Sequence, residues 1–290
     1  MNQRAALRNL LKTQDMLVMP GAYDCVLARL VERAGFPGVY MTGGGTSGGY
    51  GFPDYGLVTM TEMVQNASRI AGILKVPLIA DADTGFGNEL NVIRTVREFE
   101  RVGVAGIHIE DQVFPKKCGH LAGKEVIALD DYIVKIRAAV EAKDDPDFLI
   151  IARTDCRSVL GFEEAVRRAN AALDAGADMA FLEAPETLEE IMSVPKLVKG
   201  PCLLNVVRGG KSPDVDLKDV RQAGYKIAIV PTLLTFSVIG VCEQVLEELK
   251  RTDRHPRFPN DQTMAQFNTR RGFEEWDTLR KRYQRTEPGR

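Results

Sequence analysis

The stretch LIADADTGFGNELNVIRTVREFERVGVAGIHIEDQ, residues 78–112, holds two short and largely apolar runs, LIA and GIHI, on either side of a helical pattern. Runs of this kind are typical of parallel strands that are covered by helices on both faces. Asp81 and Asp83 follow the first run, and Glu110 follows the second. The stretch therefore predicts a strand–helix–strand unit with acidic residues at the carboxyl end of each strand.

The same unit recurs along the chain, which carries eight short apolar runs with helical patterns between most of them. In order these runs are Leu17–Met19, Gly38–Met41, Leu78–Ala80, Gly106–Ile109, Phe148–Ala152, Met179–Leu182, Cys202–Val206 and Lys226–Val230. We predict an α/β fold, a (β/α)8 TIM-type barrel, in which all strand ends meet at one face. A doubly wound sheet would bring only the strand ends at its switch point into one crevice. The acidic ends of strands three to seven fit the barrel better.

The apolar periodicity breaks after Leu249, at RTDRHPRFPND, and helical character then resumes. We expect a catalytic barrel over residues 1–253 and a C-terminal helical extension over residues 254–290 that is not an independent domain. The extension contains the only tryptophan, Trp276. It either folds back on its own barrel or packs on a neighbouring subunit, and the sequence pattern leaves both arrangements open.

The composition is that of an ordinary globular protein. The chain has 290 residues, 38 basic and 40 acidic side chains, and a net charge of -2, so charge alone gives no reason to expect nucleic-acid or anionic-membrane binding. The five cysteines include no CxxC pair, which favours reduced thiols. The N-terminal segment lacks the apolar run of a signal peptide, and no stretch reaches the length of a membrane span. We therefore expect a cytoplasmic protein.

Five carboxylates are predicted to share the mouth of the barrel with Arg153 and Asn205: Asp81, Asp83, Glu110, Asp155 and Glu183. Asp54, from the FPDYG loop, joins Asp81, Asp83 and Glu110 in a cluster of hard oxygen ligands. Carboxylates that converge in this way repel one another unless a cation neutralises them. Because no histidine-rich or cysteine-rich set accompanies them, the pattern favours Mg²⁺ or Mn²⁺ over zinc. The alternative is that these acids cap helices or pair with basic side chains.

Two further segments are candidates for anion binding. TGGGTSGG, Thr42–Gly49, is a glycine-rich loop that either presents backbone N–H groups to a carboxylate or phosphate or is simply a tight turn. It lacks the lysine of a P-loop and the GxGxxG pattern of dinucleotide-binding proteins. Arg153 has the planar fork that suits a carboxylate, although a structural ion pair at the barrel mouth would leave the same signature.

The segment VFPKKCGH, residues 113–120, places Cys118 among two lysines and His120. Basic neighbours lower the pKa of a thiol, and the adjacent glycine lets the loop move, so the cysteine is a candidate reagent on a mobile loop. A chance loop cysteine is the alternative. A zinc site is disfavoured, because Cys118 and His120 have no matching second pair.

Several motifs occur together along the chain: TGGGT, PDYG, DADTGFGN, GIHIEDQ, PKKCGH, IARTD, FLEA and LLNVV. This combination strongly resembles the isocitrate lyase / phosphoenolpyruvate mutase superfamily, nearly from end to end. The loop KKCGH is similar to that of the methylisocitrate lyase and 2,3-dimethylmalate lyase branch, and to that of carboxyvinyl-carboxyphosphonate phosphorylmutase-like members. The resemblance implies a Mg²⁺-dependent (β/α)8 barrel and a homotetramer in which a C-terminal helix is exchanged between subunits.

The resemblance also implies roles for individual residues. Asp81, Asp83 and Glu110 match the acids of the metal shell, and Asp54 supports them through water. The residues implied in substrate binding are Thr42, Gly43, Gly44, Lys117, Gly119, Glu183 and Asn205. The residues implied in catalysis are Cys118, Tyr40, Arg153, His120 and Lys116, with Cys118 as the proton donor.

The implied activity is cleavage of a 2-hydroxy di- or tricarboxylate into an oxo-acid and a second carboxylic acid, as in the cleavage of 2-methylisocitrate or 2,3-dimethylmalate. The alternatives are a phosphorylmutase that forms a C–P bond and an oxaloacetate hydrolase or decarboxylase. Pro231 and Thr232 stand where hydrolase members tend to carry serine, which argues against the hydrolase. Many of these lyases carry an acid in N-x-x-E-x-G where this chain has Arg208. Arg208 either favours a substrate with an extra negative charge or points to solvent.

Overall fold

Eight parallel strands close into a barrel in chain order, and β8 pairs with β1, in a computed structural model that describes residues 2–257 and 262–284. The strands are β1 Leu17–Ala22, β2 Val39–Met41, β3 Leu78–Asp81, β4 Gly106–Glu110, β5 Leu149–Thr154, β6 Met179–Leu182, β7 Cys202–Asn205 and β8 Ile227–Val230. This confirms the predicted (β/α)8 barrel, and all eight runs named from the sequence are strands. The observed strand ends differ from the predicted ones by a few residues at most, because pairing with the neighbouring strand decides where each strand begins and ends.

Helices follow the strands and form the outer layer. They are α1 Gln3–Thr13, α2 Cys25–Arg33, α3 Gly43–Gly49, α4 Met60–Ile73, α5 Glu89–Arg101, α6 Leu129–Ala142, α7 Arg157–Leu160, α8 Phe162–Asp174, α9 Leu188–Leu197, α10 Leu217–Ala223, α11 Leu233–Thr252, α12 Met264–Arg270 and α13 Phe273–Gln284. Local sequence explains where several of them begin. At α4, Thr59 and Glu62 form a capping box that satisfies the first backbone N–H groups.

The interior of the barrel is filled by side chains from its strands, among them Met19, Ile79, Ile151 and Phe181. Leu7 of α1 joins this cluster and is fully buried. Burial of a leucine side chain stabilises the fold by about 1.5–3 kcal/mol. The core therefore continues from the barrel interior onto α1.

Strand register decides which polar side chains become neighbours at the carboxyl ends. Asp81 of β3 lies opposite His108 of β4. Glu110 of β4 lies opposite Arg153 of β5, which in turn lies opposite Phe181 of β6. Backbone pairing thus brings the acid of β4 beside a cation of β5, and the acid of β3 beside His108.

The chain divides into two compact units, residues 1–236 and 237–290, so that the division falls within α11. The boundary that the sequence predicts, between residues 253 and 254, stays a prediction, and the predicted extension includes residues 258–261 and 285–290, which lie outside the described residues. Exchange of the extension between subunits also stays a prediction. None of the described helices combines the length and the apolar character that a membrane span requires.

Candidate active site

A cavity of about 310 Å³ is lined by residues that follow the carboxyl ends of the strands. Its lining is made by Tyr40, Thr42, Gly44, Gly45, Asp54, Asp81, Cys118, Gly119, His120, Arg153, Glu183, Asn205, Val207, Arg208, Gly209, Gly210, Pro231, Thr232, Thr235 and Phe236. Most of the residues that the sequence singled out therefore line one cavity. A larger cavity of about 520 Å³, which includes Met60, Arg94 and Phe114, has no carboxylate in its lining.

Lys116, on the loop that carries Cys118, forms ion pairs with two of the acidic residues. Its ammonium lies 2.6 Å from Oδ1 of Asp54 and 2.7 Å from Oδ1 of Asp83, and the lysine is almost fully buried. Acids that converge in a buried place are costly unless a cation accompanies them. Lys116 supplies that positive charge here, so the ion-pair alternative considered from the sequence is realised at Asp54 and Asp83.

The buried acids differ in how readily they ionise. Burial acts to raise the pKa of Asp81, but interactions with His108, Lys116 and Arg153 outweigh burial and lower the pKa to about 2. Burial raises the pKa of Asp83 to about 6, against the attraction of Lys116. The site therefore holds one firmly ionised carboxylate next to one that burial leaves close to protonation.

Glu110 is the acid that remains least satisfied. It is fully buried, and neither of its carboxylate oxygens accepts a hydrogen bond. Arg153 Nε lies 3.2 Å from Oε2, and burial raises the pKa of Glu110 well above its usual value despite this cation. Buried carboxylate oxygens that lack donors fit a hard cation such as Mg²⁺.

The acids do not by themselves form a finished metal site. Within the described ranges, no three side chains of His, Cys, Asp or Glu already converge as direct ligands. A hydrated cation suits such an arrangement, because Mg²⁺ commonly keeps several waters and takes only one or two carboxylates. Asp81, Asp83 and Glu110 offer the hard oxygen atoms that a partly hydrated ion would need, and Asp54 is joined to Asp83 through Lys116.

Tyr40 and His108 form a buried pair that adjoins Asp81. The Tyr40 hydroxyl lies 2.8 Å from His108 Nε2 and 3.4 Å from Asp81 Oδ2, and His108 Nδ1 lies 3.6 Å from Asp81 Oδ1. Burial lowers the pKa of His108 to about 4, so the ring is neutral near pH 7. Sequence reasoning missed His108; its position two residues before Glu110, on the same side of β4, was the available signal.

Arg153 is engaged by carboxylates on several sides. It donates from Nε to Asp155 Oδ2 at 2.8 Å, and its Nη2 lies 3.7 Å from Glu183 Oε2. Its guanidinium also stacks over the ring of Phe181. The structural ion pair left open by the sequence is therefore present, and Asp155, which the sequence placed at the barrel mouth without a role, holds the guanidinium in place.

The loop that carries Cys118 is held on the barrel mouth by three basic side chains. Besides Lys116, His120 Nε2 lies 2.9 Å from Glu183 Oε1, while His120 Nδ1 accepts a hydrogen bond from the backbone N–H of Lys211 at 3.1 Å. Lys124, which sequence reasoning also missed, donates to Gly119 O and, at 2.8 Å, to Asp155 Oδ1. These contacts place Cys118 in the lining of the cavity.

The expected lowering of the Cys118 pKa is wrong. Burial and the nearby Asp54 raise the pKa of this thiol instead. The flanking lysines do not compensate, since Lys116 is paired with acids and the Lys117 ammonium binds Gly123 O at 2.8 Å. Cys118 is therefore a protonated thiol near neutral pH, which is the form a proton donor needs. Lys117 lies outside the cavity lining.

The glycine-rich segment is a helix and not the loop that the sequence suggested. Thr42 caps α3 by accepting a hydrogen bond from Gly45 N at 3.3 Å. Gly43 N donates to Asp81 Oδ2 at 3.2 Å, and a Cβ atom at Gly43 would collide with that carboxylate. Glycine is thus required for this close approach. Gly44 lines the cavity, whereas Gly43 lies against Asp81.

Asn205 completes the part of the cavity beside β6. Its Nδ2 donates to both carboxylate oxygens of Glu183, at 3.2 and 3.1 Å. Burial opposes ionisation of Glu183, but Arg153 and His120 lower its pKa to about 2. The two residues named from the sequence for the distal pocket therefore lie together, and Glu183 is ionised near neutral pH.

Comparison with known proteins accounts for this arrangement. The family model described as phosphoenolpyruvate phosphomutase matches residues 7–250. The chain belongs to the phosphoenolpyruvate mutase / isocitrate lyase superfamily. Among superfamily relatives, 2,3-dimethylmalate lyase of Eubacterium barkeri is 45% identical over 276 residues, which cover 94% of this chain and 96% of the relative. A 2-methylisocitrate lyase of Aeropyrum pernix is 47% identical over 243 residues, covering 84% and 78%.

Solved superfamily structures share the fold throughout. Oxaloacetate acetylhydrolase in complex with 3,3-difluorooxalacetate has a TM-score of 0.92 and 36% identity, covering 96% of each chain. Phosphonopyruvate hydrolase in complex with oxalate and Mg²⁺ has a TM-score of 0.88 and 30% identity, covering 98% of this chain and 99% of the other. The comparisons confirm the superfamily and the predicted enzyme class, a carbon–carbon lyase that acts on carboxylic acids. The roles of the individual residues stay predictions.

Proposed function

We propose that the chain is a Mg²⁺-dependent lyase that cleaves a 2-hydroxy di- or tricarboxylate of the 2,3-dimethylmalate or 2-methylisocitrate type. The observation that carries the proposal is the position of Cys118: a protonated thiol lines the same cavity as Tyr40 and the carboxylate of Asp81. Cleavage next to a carboxylate leaves a carbanion equivalent that must receive a proton, and a thiol on a closing loop can supply it without admitting water.

The metal would be held by Asp81, Asp83 and Glu110, with Asp54 in support. The known Mg²⁺ and oxalate in phosphonopyruvate hydrolase support this assignment, as do the unsatisfied oxygens of Glu110. When bound, Mg²⁺ supplies positive charge that stabilises negative charge developing on substrate oxygens. Mn²⁺ has similar preferences and is a possible substitute.

The protein groups divide the remaining tasks. Tyr40 and the N-terminal residues of α3 bind the carboxylate and hydroxyl of the oxo-acid half, while Arg153, His120, Glu183 and Asn205 surround the other half. The hydroxyl proton leaves to Asp54, a carboxylate of the cavity lining that does not hold the metal directly. The electrons of the carbon–carbon bond move to the second acid, and its carbon takes the proton of Cys118. The proton lost by the hydroxyl balances the one that the thiol gives.

The test measures, with Mg²⁺, the release of oxo-acid from 2,3-dimethylmalate and 2-methylisocitrate and the consumption of oxaloacetate and phosphonopyruvate. We expect turnover of a 2-hydroxy acid, and loss of turnover by about 10²–10⁴-fold in Cys118→Ser, the usual size of a general-acid contribution. Cys25→Ala is the matched control, because Cys25 is another partly buried thiol that does not line the cavity. Turnover of phosphonopyruvate or oxaloacetate alone would contradict the proposal and favour the phosphorylmutase or hydrolase alternative.

We further propose that the protein is a cytoplasmic homotetramer with an exchanged C-terminal helix. Exposed aromatic side chains in α13, such as Phe273 and Trp276 at 58% and 69% exposure, support a partner for this helix. Light scattering after gel filtration should give four times the chain mass of 32.0 kDa. A monomeric mass would contradict the proposal.

A further inference from the structure

The cavity is strongly acidic for a site that must accept a carboxylate. Three carboxylates line it, those of Asp54, Asp81 and Glu183. Arg153, a cation of the lining, already forms ion pairs with Glu110, Asp155 and Glu183. Arg208 also lines the cavity, and among the residues that the structure describes no carboxylate is paired with it. Arg208 is at the same time exposed, so this cation of the lining is open both to solvent and to a ligand in the cavity.

The barrel topology places Arg208 and Asp81 at opposite sides of the barrel mouth. Arg208 follows β7, whereas Asp81 ends β3. Strands that are four apart in a closed ring of eight lie on opposite sides of the barrel. A ligand held through one end at Asp81 therefore extends toward Arg208 with its other end.

The segment that carries Arg208 is also fastened to the loop of Cys118. Lys211 N donates to His120 Nδ1 at 3.1 Å, and a Cβ atom at Gly210 would lie 2.5 Å from that same nitrogen. Gly209 has φ 74°, a left-handed conformation that glycine adopts readily. The backbone next to Arg208 is thus positioned by the same contacts that hold the loop over the cavity.

We infer that Arg208 is a specificity-determining residue that binds a carboxylate at the far end of the substrate, and that the preferred substrate is a 2-hydroxytricarboxylate. The inference rests on the proposed lyase function and adds its substrate class. The guanidinium fork matches a carboxylate in two parallel hydrogen bonds. Two carboxylates of such a substrate belong to the two halves that cleavage separates, and the third is the one that Arg208 binds. A dicarboxylate has no group for this position.

The experiment measures binding, so that its result does not depend on turnover. Isothermal titration in Mg²⁺ compares propane-1,2,3-tricarboxylate with succinate for the wild-type protein and for Arg208→Ala, Arg208→Lys and Lys218→Ala. Lys218 is an exposed lysine that follows β7 and does not line the cavity, so it controls for a general change of charge.

We expect the wild-type protein to bind the tricarboxylate at least tenfold more tightly than succinate. Arg208→Ala should lose at least tenfold in affinity for the tricarboxylate and less than threefold for succinate, Arg208→Lys should lose less, and Lys218→Ala should behave as the wild type. Equal losses for both acids, the same loss in Lys218→Ala, or no wild-type preference for the tricarboxylate would overturn the inference. Failure of the lyase proposal would show separately, as absence of oxo-acid release.

Discussion

The substitution Lys116→Met tests whether the acids at the barrel mouth form a cation site. Lys116 is 2% exposed and its ammonium contacts Asp54 and Asp83. Removing one partner of a buried ion pair costs about 3–5 kcal/mol, because the remaining charge is left uncompensated. Protonation of Asp83, whose pKa is already about 6, relieves part of that cost. We therefore expect a loss near the lower limit, about 3 kcal/mol.

A loss of this size is measurable by thermal unfolding. For a unit of roughly 240 residues, about 3 kcal/mol corresponds to a fall in Tm of about 6–12 °C. Mg²⁺ should restore more stability in Lys116→Met than it adds to the wild type, since a bound cation replaces the missing charge and stabilises the folded state by mass action. Lys117→Met is the matched control, because within the described part of the chain that ammonium binds a backbone oxygen, Gly123 O, and no carboxylate.

The pH dependence of stability gives a second test with the same variant. The folded-state pKa of Asp83 lies above its unfolded value, so the protonated carboxyl contributes stability at low pH that is lost as pH rises through about 6. Without Lys116 the folded-state pKa of Asp83 rises further, so the stability of the variant continues to fall up to a higher pH. A Lys116→Met protein with the Tm of Lys117→Met, unchanged by Mg²⁺ and by pH between 5 and 8, would refute the reasoning.

Two other substitutions test the loop and the barrel core independently. Lys124→Met removes the donor to Gly119 O and leaves the buried Asp155 without one of its cations, so we expect faster proteolysis of the loop at residues 113–124, at least a tenfold lower kcat/KM and a lower Tm. Proteolytic protection equal to the wild type would contradict the role of this contact. Leu7→Ala opens a cavity in the fully buried cluster between α1 and the barrel, so denaturant unfolding should show a loss of about 2–5 kcal/mol, while KM stays unchanged; a changed KM with full stability would argue against the structural role.

The barrel was predictable because its signal is local. A buried parallel strand is a short apolar run, and the helix after it has its own period, so eight repeats of this unit could be counted without knowing how they pack. The positions of Asp81, Glu110, Arg153 and Glu183 followed from the rule that strand ends meet at one face. Structure and comparisons confirm the fold and the superfamily.

Other features depend on three-dimensional neighbours that no local pattern contains. The thiol pKa of Cys118 was predicted in the wrong direction, because adjacency in sequence to two lysines did not reveal that Lys116 pairs with Asp54 and Asp83. His108 was missed because a histidine within an apolar strand has the same pattern as a core residue. The helix α3 was missed because glycine is a poor helix former, and only the cap by Thr42 and the contact with Asp81 explain it.

The most direct test of the lyase proposal is proton NMR of the products formed in D₂O with Mg²⁺ from 2-methylisocitrate or 2,3-dimethylmalate. The proposal predicts one pyruvate for each substrate consumed, together with succinate or propionate that carries a single deuterium at the carbon released from the broken bond, because the exchanged thiol of Cys118 delivers it. Absence of pyruvate from both acids, with turnover of phosphonopyruvate or oxaloacetate by the same protein, would contradict it.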